Sequence, residues 1–361
     1  MNAIAGTLGR YFAWRFAKAL AVVTVTVMAL ALMLDVFELM RRAGDARGVT
    51  TLTLLTIAAL RNPSILEQVL PFAMLFAAIA SFLALSRRLE FVVARAAGVS
   101  AWQFTAPAMA VAFALGVVAV TAFNPAVVAL KASAEALEGR YFGSDSDEEG
   151  RRGIWLRQKD GEGDLVIRAD AVEGARLVGV TAFELDAAGA FLRRIEAAGV
   201  EIAAGELVFA DGRTVAPDAP AQPFATLRRP SRLRIDDVAG AADRSGAVSF
   251  WGLPPLIDRL TLADMDATRY RLRLAGLHAK PFFLVAMVLV AASVSLRFFR
   301  IGGVARMVGL GVLGGFALYI VNRIASDLGE AGLVPVIAAA WAAPVVGALV
   351  SIHVLLQQED G

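Results

Sequence analysis

The chain has 361 residues, 58% of them hydrophobic, with a mean hydropathy of +0.63, and its 35 Lys and Arg against 33 Asp and Glu leave a formal charge of +2. That balance offers no electrostatic footprint for nucleic acid, and the hydropathy is high for a protein dissolved in water alone. No cysteine is present, which excludes disulfides and thiolate metal sites, and the two histidines, His278 and His353, leave little for metal or acid/base chemistry.

Apolar runs long enough to cross a bilayer, which takes roughly 20 residues, flank one long polar insert. In chain order the predicted spans are Ala19 to Leu34, Gln68 to Ser86, and a third within the uncharged stretch Ala96 to Leu130. After the insert come Pro281 to Leu296, Met307 to Asn322 and Ala331 to Leu356, the shorter ones lengthened by amphipathic flanks. Arg15 and Lys18 before the first span and Ala29-Leu30-Ala31 within it imitate a signal peptide, but five further spans make an uncleaved anchor the simpler reading. Pro107 and Pro125 in the third span read as tolerated kinks. In the fifth, Gly311 and Gly315 have the G-x-x-x-G spacing that lets helices approach closely.

Between the third and fourth spans the period changes from helical to alternating. Gly153 to Leu156, Asp164 to Ala169, Leu177 to Leu185, Val200 to Ala203, Leu207 to Ala210 and Arg232 to Ile235 are β-prone runs separated by turn signals such as Asp160-Gly161 and Asp211-Gly212. Val200/Ile202 and Leu207/Phe209 put apolar side chains on one face, as a sandwich or jelly roll requires. The acidic tract Ser144 to Glu149 reads as a solvated loop, and Met265 to Lys280 as an amphipathic helix leading to the fourth span. The expected fold is therefore an α-helical polytopic membrane protein with an inserted all-β, jellyroll-like domain. Its parts are helices one to three over 1–138, the β domain over 139–264, and a connector with helices four to six over 265–361.

Orientation follows from short loops, because long polar domains cross largely regardless of charge. Arg10, Arg15 and Lys18, then Arg87, Arg88 and Arg95, then Arg297, Arg300 and Arg306 share one side, which predicts both termini in the cytoplasm and the β domain outside. Arg41, Arg42, Arg47 and Arg61 depart from that rule. The chain has no G-x-x-x-x-G-K-[ST], no H-E-x-x-H and no G-x-S-x-G, and its spans lack the mid-membrane carboxylates of proton-driven carriers. Work done by this protein is expected to be powered by a partner, with no catalytic residue, metal or cofactor of its own. Residues 87–98 form the candidate docking element, a short helix with Leu89, Val92, Val93 and Ala96 on one stripe and Gly98 as C-cap. A loop helix lying on the membrane fits the same spacing.

Leu39-Met40-Arg41-Arg42-Ala43-Gly44, Arg88 to Val93 with Ala97-Gly98, Gly153-Ile154-Trp155-Leu156, and Asp266 to Tyr270 with Lys280-Pro281 occur in that order within three spans, a β insert and three spans. In this the chain resembles the LptF/LptG permeases of the lipopolysaccharide export ABC transporter, most closely the LptG side, nearly end to end. The resemblance implies a multi-pass subunit of the bacterial inner membrane. Its implied partners are an LptF-like permease, an LptB-like ATPase dimer, LptC-like and LptA-like periplasmic β-jellyroll proteins, and lipopolysaccharide among the membrane lipids. It further implies that the helix around Glu90 is the coupling helix, with Glu90 offered to a basic residue of the ATPase and Arg87, Arg88, Arg95 and Gly98 supporting it. Arg41 and Arg42 match a basic pair near the outer leaflet, where guanidinium groups hold lipid A phosphates with two donors each. Lys131 and Arg323 are further candidates for that contact. Asp35 stands where the family pattern has a basic residue. For the β domain, Trp155, Ile167, Phe183 and Phe209 are the expected inward-facing residues of a lipid cleft. The implied function is extraction of lipopolysaccharide and its transfer to a periplasmic bridge. The alternatives are a membrane scaffold that transmits ATPase motion without carrying lipid, and an intramembrane lipid enzyme, which the missing nucleophile and base disfavour.

Overall fold

A computed structural model describes residues 2–43, 50–87, 90, 93, 96, 98–141, 154–160, 163–173, 176–186, 190–203, 205–217, 219–231, 248–262, 266–298 and 303–359. The chain divides into a helical unit, 1–137 with 248–361, and a β unit, 138–247. The segment 248–264, which the sequence reading assigned to the β domain, thus falls with the helices over the part that is described. Arg88, Arg95, the acidic tract Ser144 to Glu149 and the run Arg232 to Ile235 lie outside the described residues.

The helical unit contains α1 (Asn2–Arg42), α2 (Thr51–Arg87), α3 (Ala101–Val118), a π-helical turn (Ala119–Phe123) and α4 (Asn124–Tyr141). After the β unit come a 3-10 turn (Phe250–Gly252), α5 (Leu253–Leu262), α6 (Thr268–Phe298), α7 (Val304–Glu330) and α8 (Val336–Glu359). Six helical stretches are long and apolar enough to cross a membrane, the third running through α3, the π turn and α4. At 1.5 Å per residue α1 reaches about 60 Å, twice the hydrocarbon thickness, so its ends stand clear of the lipid. Ser100 and Gln103 start α3 with a reciprocal capping box.

Within lipid the hydrophobic effect does not drive helices together, so close contact between small side chains must. The sequence supplies it: Ala73, Ala77 and Ala78 of α2, Ala108 and Ala112 of α3, Ala286, Ala291 and Ala292 of α6 and Ala343 of α8 are all buried in one core. Helix α6 lies at its centre, packed on α2, α3, α7 and α8. A Cβ at Gly315 would stand 2.3 Å from the Leu75 side chain, and one at Gly311 2.7 Å from Ile79. The G-x-x-x-G face therefore serves packing of α7 on α2 within the chain. Helices α1 and α7 lie at the margin, with Val25, Met33 and Phe37 of one and Leu313, Phe316 and Ile324 of the other exposed.

The third span shows why one proline matters more than the other. Pro125 has no N–H to donate to the carbonyl four residues back, and that carbonyl, of Thr121, accepts instead from Nε1 of Trp251 at 2.9 Å. The backbone N–H of Phe250 donates to Oδ1 of Asn124 at 2.9 Å. The short segment ahead of α5 is thus fastened to the π turn, a common place for helix irregularity.

In the β unit six strands, β1 (Ile154–Asp160), β2 (Gly163–Glu173), β3 (Arg176–Asp186), β4 (Phe191–Ala203), β5 (Glu206–Ala216) and β6 (Ala219–Pro230), form one antiparallel sheet in sequential order. β6 escapes a sequence reading because it carries Pro220, Pro223 and Pro230, tolerated here on an edge strand. Buried residues alternate along β3 and β4 but change phase partway, between Leu177 and Val180 in β3 and between Ala197 and Val200 in β4. The phase changes lie along Asp170, Gly179, Ala198, Asp211 and Ala225, which are absent from otherwise continuous pairings. Gly179 (φ +64°) and Asp211 (φ 49°) adopt left-handed backbone there. This line is a crease. It folds the meander into two layers that share one core of Ile167, Ala182, Ile195, Val200, Leu207 and Phe209, and the expected inserted all-β domain is present as a single six-stranded antiparallel sheet.

Candidate functional site

At the end of the helical unit that carries the termini, Glu90 meets α1. Arg15 donates from Nη1 to both Glu90 oxygens at 3.0 Å, and the Tyr11 hydroxyl donates to Oε2 at 3.1 Å. Arg15 also donates to Tyr11 Oη at 2.9 Å, closing a triangle. Tyr11 and Arg15 share a face because they are one helical turn apart, while Phe12, Phe16 and Leu20 are buried in the core, with Phe12 4.6 Å from the Phe104 ring. Val93 and Ala96 are helical and exposed, Arg87 is exposed at the end of α2, and Gly98 has a φ of +81°, the left-handed geometry of a helix C-cap.

The basic residues expected at the opposite end are each paired within their own helix. Arg41 and Arg42 share Glu38 at 2.7 and 2.9 Å, Lys131 lies 3.7 Å from Glu135, and Arg323 3.2 Å from Asp327. The side chains of Arg41 and Arg42 remain 79% and 60% exposed, so Glu38 neutralises one charge and leaves both guanidinium groups open to a ligand. Asp35, the departure from the family pattern, lies 3.8 Å from Arg61 of α2. The acid on the first span is thus matched by an arginine on the second.

A buried network at the same end joins distant parts of the chain. Lys280 Nζ donates to Glu67 Oε1 at 2.7 Å, and Asn124 Nδ2 donates to the same oxygen at 3.1 Å. With Phe250 on the other side of Asn124, one amide connects α2, α6, the π turn and the returning chain. Nothing in the sequence around Lys280-Pro281 points to a partner for the lysine. Glu67 gave no signal, since it sits one residue before the predicted start of its span.

In the β unit the expected cleft residues divide. Ile167 and Phe209 are fully buried in the core. Trp155 is 55% exposed and pairs in register with Arg168, on the face opposite Leu156, so its expected inward orientation is corrected. Phe183 alternates with buried Ala182 onto that outer face, 6.4 Å from the Phe191 ring, which corrects it likewise. Where the two layers meet, Glu184 of β3 accepts from Arg193 of β4 at 2.5 Å and from Arg229 of β6, and Ser231 donates to Gln158 of β1 at 2.7 Å. Burial pushes the Glu184 carboxyl up, but the hydrogen bonds from Arg193 and Arg229 outweigh it and hold the group below the usual carboxylate range.

Among the described residues no group of His, Asp and Glu is placed to hold a metal ion. The polar features are pairs and networks at the two ends of the helices and a seam in the β unit. A family model described as lipopolysaccharide export system permease LptF/LptG matches residues 10–357. No curated protein matches the chain.

Proposed function

The chain belongs to the LptF/LptG family of lipopolysaccharide export permeases, and from that premise we propose that it is the LptG-like half of a pair that lifts lipopolysaccharide from the outer leaflet of the inner membrane. As a member it is a multi-pass inner-membrane transporter subunit. An LptB-like ATPase dimer beneath the pair supplies the energy, and the β unit, on the periplasmic side, meets LptC-like and LptA-like jellyroll proteins. Both termini are cytoplasmic. The reading is carried by the extent of the match, from residue 10 to 357, which takes in both helical halves and the insert.

Closure of the ATPases pushes the segment bearing Glu90, supported by Arg87, Arg88, Arg95 and Gly98, and the cavity between the two permeases narrows. Arg41 and Arg42, assisted by Lys131 and Arg323, hold lipid A phosphates, exchanging the single Glu38 carboxylate for phosphate oxygens. The exposed faces of α1 and α7 are where partner permease and entering lipid meet. The test is photo-cross-linking of the subunit to lipopolysaccharide with Arg41 and Arg42 replaced by alanine. Cross-linking and export that both stay at the native level would remove the phosphate role.

A second reading, a scaffold that transmits ATPase motion without carrying lipid, draws support from the β unit. The space between its layers is filled by Ile167, Leu207 and Phe209 and closed by the Glu184 seam, so acyl chains enter only if that core opens. A reconstituted pair that binds the ATPase yet releases no lipid is the outcome that favours it.

A further inference from the structure

Glu90 is the carboxylate that the proposed reading offers to the ATPase, and the inference here rests on that reading. The carboxylate does not project alone. Its two oxygens accept from Arg15, and Oε2 also accepts from Tyr11, both residues lying 75 or more positions earlier in the chain. The side chains of Arg15 and Glu90 are 18% and 30% exposed, so an edge of the carboxylate stays open while the pair is formed. Val93, one helical turn further on, is exposed and free to press into a partner.

The foot of α1 is seated in the main core, while its upper part is held on one side only, by α2, with Leu39 buried, Asp35 beside Arg61 and the Met28 carbonyl accepting from Asn62. Phe12, Phe16 and Leu20 are buried in the main core, whereas Val22, Val25, Leu30, Met33, Leu34 and Phe37 are exposed. A force applied to Glu90 thus enters α1 at its foot, and the same unbroken helix carries Arg41 and Arg42 at its far end. We infer that Arg15 and Tyr11 are positioning residues for energy coupling: they tie the ATPase-facing segment to the first span, so that its displacement moves the helix bearing the candidate phosphate ligands. Tyr11 and Arg15 hold each other in register, since the guanidinium carbon lies 5.7 Å from the ring centre and Nη1 reaches the hydroxyl. The link is an ion pair with a phenol on one side, strong enough to transmit displacement and open enough to share the carboxylate with an incoming base.

The experiment uses the complete transporter reconstituted in phospholipid vesicles with lipopolysaccharide, measuring ATPase co-purification, ATP hydrolysis and lipid release. The variants are Arg15→Gln, Tyr11→Phe, Glu90→Gln, the double Arg15→Gln/Glu90→Gln, and Arg15→Lys. The inference expects Arg15→Gln to keep the ATPase bound while lipid released per ATP falls about fivefold or more. Tyr11→Phe falls less, and Arg15→Lys recovers most of the ratio because the charge is retained. The double variant is expected to be no worse than the poorer single, the mark of two residues acting as one unit. Native release per ATP in Arg15→Gln beside a defective Glu90→Gln overturns the inference and leaves the coupling role of Glu90 standing. Multiplying defects in the double variant also overturn it. Native assembly and release in Glu90→Gln sinks the proposed coupling role itself. A variant that unfolds is recognised by loss of melting cooperativity in detergent, and Arg15→Lys then decides alone: its release per ATP must stay near the native value.

Discussion

The helical unit pairs its charges in two different ways. At the end carrying the termini, a carboxylate is held by two residues of another helix, and near the insert Glu67 is held by Lys280 and Asn124, again from elsewhere in the chain. Arg41, Arg42, Lys131 and Arg323, by contrast, have partners three or four residues away on their own helices. A pair between distant elements constrains the fold and can carry motion, whereas an exposed pair within one helix contributes little and is readily exchanged for a ligand. The contrast separates residues that join distant elements from residues whose pairing stays local.

The predictions rank accordingly. The largest effect is expected from charge reversal, Glu90→Arg, which sets like charges against Arg15 and is expected to lower lipid release at least tenfold and to reduce ATPase co-purification; a native complex with native release would erase the distinction at that end. Lys280→Ala leaves a mostly buried carboxylate uncompensated and should lower stability by about 3 kcal/mol, read from thermal or denaturant unfolding in detergent. If Lys280→Met with Glu67→Leu costs nearly as much as the single change, the pair is more than mutual compensation.

The β unit sharpens the comparison through pH. Because the Glu184 carboxyl is held low by Arg193 and Arg229, its contribution is fully present above the ordinary carboxylate pKa and is lost as pH falls through the lowered value. Protection factors of the β3 and β6 amides in the full chain, corrected for the intrinsic pH dependence of exchange, should fall in that acid window, and the Glu184→Gln variant should show a smaller fall. Trp251→Phe removes one donor from the Thr121 carbonyl, for a loss of about 1 kcal/mol and a loosened π turn by hydrogen exchange. The smallest effect on stability belongs to Arg41→Ala with Arg42→Ala, whose melting in detergent should stay near native even as lipopolysaccharide cross-linking falls. A large loss of stability there would make the arginines structural and undo the contrast.

Legibility in the sequence follows the same division. Spans, the insert and its β character announce themselves through runs and periods, because lipid and a half-buried sheet each impose a repeating pattern. Gly311 and Gly315 were readable as close-packing positions, though their partner in α2 was not. Long-range pairs leave no periodic trace: Arg15 reads as one more positive charge before a span, and nothing near Glu67 points to residue 280. Alternation also misleads where a strand changes layer. Trp155 and Phe183 look inward on a flat sheet, and the crease through Asp170, Gly179, Ala198, Asp211 and Ala225 was not visible in single runs.

Trp251 and Phe250 fasten the returning chain to the third span, and the compact division of the protein places Val248 onward with the helices. Both stems of the insert are therefore rooted in helical scaffolding before the β strands begin or after they end. Another folded module could take the place of the insert while the contacts that close the helical unit, Trp251 to Thr121 and Phe250 to Asn124, stay in place.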